Sequence, residues 1–245
     1  MTNYLNPTLK SLTIVLAVML LFLGCKKDET TVTQWGNMAE AKLTEIKTLA
    51  SDIPCSQKDN VSIQEISTGC STSYYSVKSS DVTKFENLRK DYFYLLGKQT
   101  DAMVKMGIII DPCYEYIWTT EQSIRLECNG DKVRLITSAN ISIEEAKPLA
   151  IKTYEEIMTI VNAQTCTNES SWMPTALLKD KIMELEYIPY LRTQDYTILK
   201  KKVSLYNGLK HRIIQAQGPA DYVPVTIKVE KIECVNGKPV VKLTK

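Results

Sequence analysis

Hydrophobic side chains recur at three- and four-residue steps in five stretches of the chain, a spacing that predicts amphipathic helices. The clearest stretch is 84–106, where Phe85, Leu88, Tyr92 and Leu95 share one helical face. The other predicted helices are 35–53, 143–163, 174–186 and 194–216. Helical segments are therefore expected along most of the chain after its first thirty or so residues.

Short runs rich in β-branched and aromatic residues lie between the helical stretches and predict strands. Asn129-Gly130 and Asn236-Gly237 each separate two such runs, and this dipeptide favours a tight hairpin turn. Helices and antiparallel hairpins alternate without the signature of a parallel crossover, so the sequence predicts an α+β fold. The strands are expected at 61–66, 74–77, 114–119, 123–128, 132–137, 225–234 and 240–243.

The first residues of the chain have the pattern of an export signal. Lys10 precedes an uncharged apolar run at 12–23, which suits a secretory signal and is short for a membrane-spanning helix. Gly24-Cys25 then resembles the lipobox of bacterial lipoproteins, which implies that Cys25 is acylated, for instance with palmitate, and becomes the mature N-terminus. The alternative is an uncleaved N-terminal membrane anchor.

This resemblance divides the chain into a signal peptide at 1–24, a lipidated tether at 25–33 and a single α+β domain at 34–245. Lys27-Asp28-Glu29 is also similar to the export signal of surface lipoproteins in the Bacteroidota. It implies an outer-membrane protein that faces outward. The alternative is a solvated spacer without a sorting role.

Six cysteines remain once Cys25 is assigned to the lipid, and an exported chain lies where disulfides persist. Cys70 follows Cys55 by 15 residues, and Cys128 follows Cys113 by 15 residues. Zinc is the rival interpretation, but no Cys-x-x-Cys pair occurs and the single histidine is His211, so no metal or other cofactor is expected.

The cysteine spacing is part of a longer repeat. Capping boxes that begin at Thr83 and Ser142 follow the first two cysteine pairs, and segment 231–237 echoes segment 125–130 around its own cysteine. This predicts three disulfide-stapled helix and β-hairpin units, the last expanded by a helical insertion at about 167–222. The bridges that follow are Cys55–Cys70, Cys113–Cys128 and Cys166–Cys234; the alternative is a chance spacing with another connectivity.

The charge balance and the motifs exclude several classes of protein. Lys plus Arg number 30 against 28 Asp plus Glu, so nothing indicates a nucleic-acid partner. The Lys200-Lys201-Lys202 run is interpreted as the solvated face of a helix. No glycine-rich phosphate loop, nucleophile elbow or His-Glu-x-x-His motif occurs. Paired carboxylates at Asp111 and Glu115, or at Glu184 and Glu186, leave a glycosidase-like hydrolase as an alternative.

Aromatic residues supply the candidate binding surface. Tyr114, Tyr116 and Trp118 alternate along a predicted strand and would share one face, where they could stack on a sugar or contact a protein. The alternative is that this face belongs to the hydrophobic core. Further tyrosines whose direction the sequence does not define are Tyr74, Tyr75, Tyr187 and Tyr190.

These features favour a lipid-anchored cell-envelope protein that acts as a non-enzymatic binding module for a protein or glycan. Its membrane contact would be made through the N-terminal lipid. The alternatives are a surface hydrolase that uses paired carboxylates, an inhibitor or immunity lipoprotein, and a structural subunit of an envelope complex.

Overall fold

The computed structural model describes residues 31–68, 71–108, 121–181, 184–192, 196–218 and 228–244. Within them the chain is a mixture of helices and small antiparallel hairpins, which confirms the α+β class. No helix among the described residues is both long enough and apolar enough to cross a membrane.

The described residues contain four α-helices, and each lies where the sequence predicts one. They are α1 (Val32–Leu49), α2 (Val82–Lys105), α3 (Ile143–Asn162) and α4 (Tyr196–Gln215). The start of α1 corrects the expected tether, because residues 32–33 are helical. The cause is a reciprocal capping box: Gln34 N donates to Thr31 Oγ1 at 3.2 Å, and Thr31 N donates to Gln34 Oε1 at 2.7 Å.

The two capping boxes expected further along the chain have different outcomes. Ser142 caps α3 as predicted, because its Oγ accepts from Glu145 N at 3.3 Å. Thr83 is no cap, because a 3-10 turn at Ser79–Asp81 leads directly into α2, which begins one residue earlier at Val82.

In the part of the chain that the structure describes, eight strands pair in sequence order as four separate two-stranded antiparallel hairpins. Three hairpins lie in predicted positions, whereas β5–β6 replaces the helix predicted at 174–186, which is wrong. A short apolar run fits either periodicity, and here pairing of Pro174 opposite Pro189 selects the strand. The strands are β1 (Val61–Ser67), β2 (Thr72–Lys78), β3 (Ser123–Asn129), β4 (Lys132–Thr137), β5 (Trp172–Leu178), β6 (Leu185–Leu191), β7 (Lys228–Val235) and β8 (Lys238–Thr244).

Among the described elements, one order of helices and hairpins occurs twice. Each repeat runs helix, 3-10 turn, hairpin, helix, hairpin, with the 3-10 turns at Cys55–Asn60 and Glu169–Ser171. The segment expected as a helical insertion, 167–222, contains β5, β6 and α4. It is the counterpart of β1, β2 and α2 in the first repeat, so the segment is not a purely helical insertion, and the prediction of three stapled units stays unconfirmed.

Two disulfides join equivalent positions of the two repeats. Cys166 is bonded to Cys234 as expected, with 5.4 Å between the Cα atoms. Cys55 is bonded to Cys128, with 5.6 Å between the Cα atoms, so the expected Cys55–Cys70 and Cys113–Cys128 bridges are wrong. Each bond links the segment after the first helix to the first strand of the second hairpin.

The hydrogen bonds beside the disulfides repeat as well. Cys55 N donates to Asp131 O at 2.6 Å, and Cys166 N donates to Gly237 O at 2.8 Å. Asp131 and Gly237 each lie three residues after the second cysteine of their pair. The residues before them, Gly130 and Asn236, both adopt positive φ. In both repeats the hairpin turn therefore presents a carbonyl to the first cysteine, although the two turns differ because Gly237 also adopts positive φ and Asp131 does not.

The described residues divide into two compact units. Unit 1 consists of 31–42 and 91–108, and its buried residues include Ala39, Tyr92 and Leu95. Unit 2 contains the remaining described residues. Its largest core cluster is formed by α3, α4 and the β5–β6 hairpin, with Ile157, Leu177 and Leu209 fully buried.

Candidate functional site

Several residues singled out by the sequence lie outside the described residues. They are the expected acylation site, the export triplet, two of the cysteines and the aromatic strip: Cys25; Lys27, Asp28 and Glu29; Cys70 and Cys113; Tyr114, Tyr116 and Trp118. The carboxylates Asp111 and Glu115 lie there too. What the sequence predicts for these residues stays a prediction.

The other candidate tyrosines have separate surroundings. Tyr190 is buried, and the ring of Tyr75 lies 6.1 Å from that of Phe85, so both belong to packing. Tyr187 is half-buried on β6. Tyr74 differs, because it lies on β2 at the wall of a cavity.

The remaining carboxylate pair is engaged locally. Glu184 forms an ion pair with Lys179 at 3.2 Å. Glu186 accepts hydrogen bonds from the Tyr154 hydroxyl, the shorter at 3.2 Å. His211 on α4 is half-buried, and this burial holds its pKa below the usual value of 6.5. Each of these side chains therefore has a structural role in its own neighbourhood.

The candidate site is a half-open cavity in unit 2, here called the hairpin–helix cavity, with a volume of about 490 Å³. Its walls are the β1–β2 hairpin, α2, α4 and the start of β3. The lining residues are Ile63, Gln64, Glu65, Tyr74, Arg89, Gln122, Ser123, Lys201, Lys202 and Leu205. A volume of this size lies within the range of small-ligand sites, about 300–1,000 Å³.

Hairpin register explains why the wall is polar. Tyr74 is directly opposite Glu65 in the β1–β2 pairing, so their side chains share one face of the hairpin. The Tyr74 hydroxyl donates to Gln122 Oε1 at 3.2 Å. Burial, and then the negative charge of Glu65, raise the pKa of the Tyr74 phenol. The phenol therefore remains protonated and available as a donor at neutral pH.

Gln122 is held in place by its own backbone. Gln122 N donates a hydrogen bond to Ser138 Oγ at 3.0 Å, and Ser138 N donates to Gln122 O at 2.8 Å. Ser138 is almost completely buried. This reciprocal pair fixes the start of β3, and it orients the Gln122 amide toward Tyr74.

Three cationic side chains and one carboxylate line the cavity. Arg89 donates to Glu86 Oε2 at 2.6 Å and to the Glu65 carbonyl at 3.3 Å. Lys202 forms an ion pair with Glu156 at 2.5 Å. Lys201 is exposed and has no ion-pair partner among the described residues. Its ammonium group is thus the available positive charge at the rim.

The chemistry of this wall suits a polar anion. Lys201 supplies a charge, Arg89 has donors beyond the two that are engaged, and the Gln64 and Gln122 amides supply both donors and acceptors. The described part of the chain contains no group of three or more His, Cys, Asp or Glu side chains that could hold a metal ion.

Sequence reasoning missed most of these residues. The lysine run was interpreted as a solvated helix face, which is true of Lys200 and Lys201 by exposure, but Lys201 and Lys202 also line the cavity. No sequence pattern marks Arg89 or Gln122 as a site residue, because their place in the cavity wall depends on contacts between distant segments. Only Tyr74 was a candidate.

Searches of protein-family models, curated proteins and solved structures find no match to this chain.

Proposed function

We propose that this chain is a lipid-anchored cell-envelope protein that acts as a non-enzymatic binding module for an acidic glycan. The observation that carries the choice of ligand is Lys201, an exposed cation that lines the hairpin–helix cavity and has no ion-pair partner among the described residues. The anchoring rests on the resemblance of Gly24-Cys25 to a lipobox.

The wall offers what a sugar acid requires. Sugar hydroxyls need both donors and acceptors, which the side chains of Gln64, Gln122 and Tyr74 provide. A carboxylate or sulfate on the sugar would be neutralised by Lys201 and by the remaining guanidinium donors of Arg89. The aromatic ring of Tyr74 adds apolar area at a low cost in conformational entropy.

Binding is favoured over hydrolysis by the composition of the wall. Glu65 is the one carboxylate among the lining residues, and Lys201 is the lining cation that has no ion-pair partner among the described residues, because Arg89 and Lys202 are paired with Glu86 and Glu156. A glycosidase of the expected kind instead positions two carboxyl groups on either side of a glycosidic bond.

Calorimetric titration tests the ligand class. The probes are a disaccharide of glucuronic acid with N-acetylglucosamine, its sulfated form, and neutral diacetylchitobiose. We expect the acidic sugars to bind and Lys201→Ala to weaken them about tenfold, because a charge-assisted hydrogen bond contributes about 1.5–3 kcal/mol. Lys200→Ala is the matched control on the same helix, since Lys200 does not line the cavity. Equal binding of neutral and acidic sugars, or no binding of any probe, would refute the proposal.

Mass spectrometry of the native N-terminus tests the anchor. The expected result is an acylated Cys25 as first residue and loss of membrane association in Cys25→Ser. An unmodified N-terminus would exclude lipid anchoring.

Protease accessibility on intact cells tests the outward orientation. The double substitution Asp28→Ala with Glu29→Ala should reduce the cleavage of the protein by external protease. Unchanged accessibility would refute a sorting role for the triplet.

A further inference from the structure

Unit 1 exposes an unusual share of the apolar side chains. Twelve large hydrophobic residues are exposed among the described residues, and six of them lie within 31–42 and 91–108. Tyr94 is 62% exposed and Met106 is 70% exposed. The six are Met38, Phe93, Tyr94, Val104, Met106 and Ile108. Concentrated exposure of this kind marks an interaction surface.

Part of this surface is a groove, here called the α1–α2 groove, with a volume of about 760 Å³. It lies where the first residues of α1 meet the last turns of α2. Gly36 leaves room for the Gln99 side chain, because a Cβ there would lie 2.6 Å from Gln99 Nε2. The groove is lined by Thr31, Val32, Thr33, Trp35, Tyr94, Lys98, Asp101, Ala102, Lys105 and Met106.

The groove combines amphipathic aromatic rings with lysines. The Lys98 ammonium lies 5.3 Å from the centre of the Tyr94 ring, and Trp35 and Lys105 line the same groove. Trp and Tyr are enriched where membrane meets water, because their rings are apolar and their polar atoms remain hydrated. Lysine stems cover apolar surface while their charges reach anionic headgroups. This chemistry matches the interfacial layer of a bilayer.

Chain length places the groove close to the expected anchor. Residues 26–30 separate Cys25 from Thr31, and an extended chain spans about 3.5 Å per residue. Thr31 must therefore lie within about 20 Å of an acylated Cys25. Since Thr31 and Val32 are themselves part of the wall, the groove is held near the membrane surface whichever way the tether runs.

We propose that the α1–α2 groove rests on the headgroup layer of the membrane to which Cys25 is anchored. The inference depends on the lipid anchor of the proposed function and adds a second, protein-mediated contact. Lipid tethering supplies proximity, and the groove sets the orientation of unit 1 at the surface. Two weak membrane contacts on one chain reinforce each other because the first raises the effective concentration of the second.

Lysine acetylation read by mass spectrometry tests this contact. The acylated protein is reconstituted in vesicles of phosphatidylethanolamine with a minor fraction of phosphatidylglycerol, and it is compared with the Cys25→Ser chain in buffer. We expect labelling of Lys98 and Lys105 to fall severalfold in vesicles. Lys84 is the internal control, because it lies about 30 Å from Lys105 along α2 and should label equally in both samples.

Variants separate the groove from the lipid. Tyr94→Glu with Met106→Glu should restore labelling of Lys105 while the acylated chain remains on the vesicles, and the conservative pair Tyr94→Phe with Met106→Leu should keep it protected. A melting temperature close to that of the unsubstituted chain confirms that each variant is folded.

Three results would overturn the inference. Vesicle-bound protein with Lys105 fully labelled would refute docking and leave the anchor intact. Failure of the protein to associate with vesicles would refute the anchor itself. Protection of Lys105 already present in the Cys25→Ser chain would show that the groove is filled by this chain or a second copy, which size-exclusion chromatography distinguishes.

Discussion

The Asn207 side chain makes, at Leu178 and Ala176, the two hydrogen bonds that a neighbouring strand would make with the edge of β5. Asn207 Oδ1 accepts from Leu178 N at 2.7 Å, and Asn207 Nδ2 donates to Ala176 O at 3.0 Å. Lys179 N donates across the hairpin to Glu184 O, so the neighbouring Leu178 N–H points away from β6. A primary amide presents an N–H donor and its carbonyl acceptor side by side, which lets α4 satisfy the outer edge of β5.

This relationship makes Asn207 a sensitive position. Asn207 is completely buried, and Asn207→Leu would leave the N–H of Leu178 and the C=O of Ala176 without partners. We expect the free energy of unfolding to fall by about 2–4 kcal/mol, measured by urea denaturation. Asn87→Leu, at an exposed position in the second turn of α2, is the control and should change it by less than about 0.5 kcal/mol. Equal effects of the two substitutions would contradict this role.

The two disulfides should contribute similarly to stability. Their cysteines are 73 and 68 residues apart, and the chain-entropy model gives about 4 kcal/mol for a loop of either length. Replacing Cys55 and Cys128 together by Ala, or Cys166 and Cys234 together, should therefore lower the free energy of unfolding by comparable amounts in urea titrations. A negligible loss in either double variant would show that its bond does not constrain the unfolded chain.

Peptide mapping without reduction should recover a third cross-link. Cys55 pairs with Cys128 in the structure, and complete pairing of the six cysteines would then join Cys70 to Cys113, both of which lie outside the described residues. The expected products are three cross-linked peptides, one for each pair. Free thiols at Cys70 and Cys113, detected by alkylation before digestion, would limit the chain to two bonds.

Stability should decrease as the pH falls below about 6.5. Burial lowers the pKa of His211 in the folded protein from its ordinary value of 6.5. Between the two pKa values the unfolded chain takes up a proton that the folded chain does not, so acid favours unfolding; above 6.5 both states are neutral and this contribution is constant. His211 is the single histidine. His211→Gln should flatten the melting temperature between pH 7.5 and 5.5 relative to the unsubstituted chain, and an unaltered slope would contradict the assignment.

Local sequence signals were sufficient for most of the secondary structure. The periodic apolar positions of α2, the Ser142 cap of α3 and the Asn129-Gly130 turn of β3–β4 are properties of a few neighbouring residues, and each predicted its element. The α+β class followed from their order. Where the local signal was ambiguous, as in 174–186, the prediction chose a helix and pairing across the chain selected strands instead.

Only the tertiary structure decided which distant residues meet. Cys55 and Cys128 pair because the 3-10 turn after α1 packs against the end of β3, a contact that equal spacing along the chain does not encode. The hairpin–helix cavity likewise brings Lys201 on α4 to Tyr74 and Arg89, which lie more than a hundred residues earlier in the chain. Periodicity reports the environment of one element at a time, whereas a binding surface depends on how several elements pack, and that is determined by the complementary shapes of their buried faces.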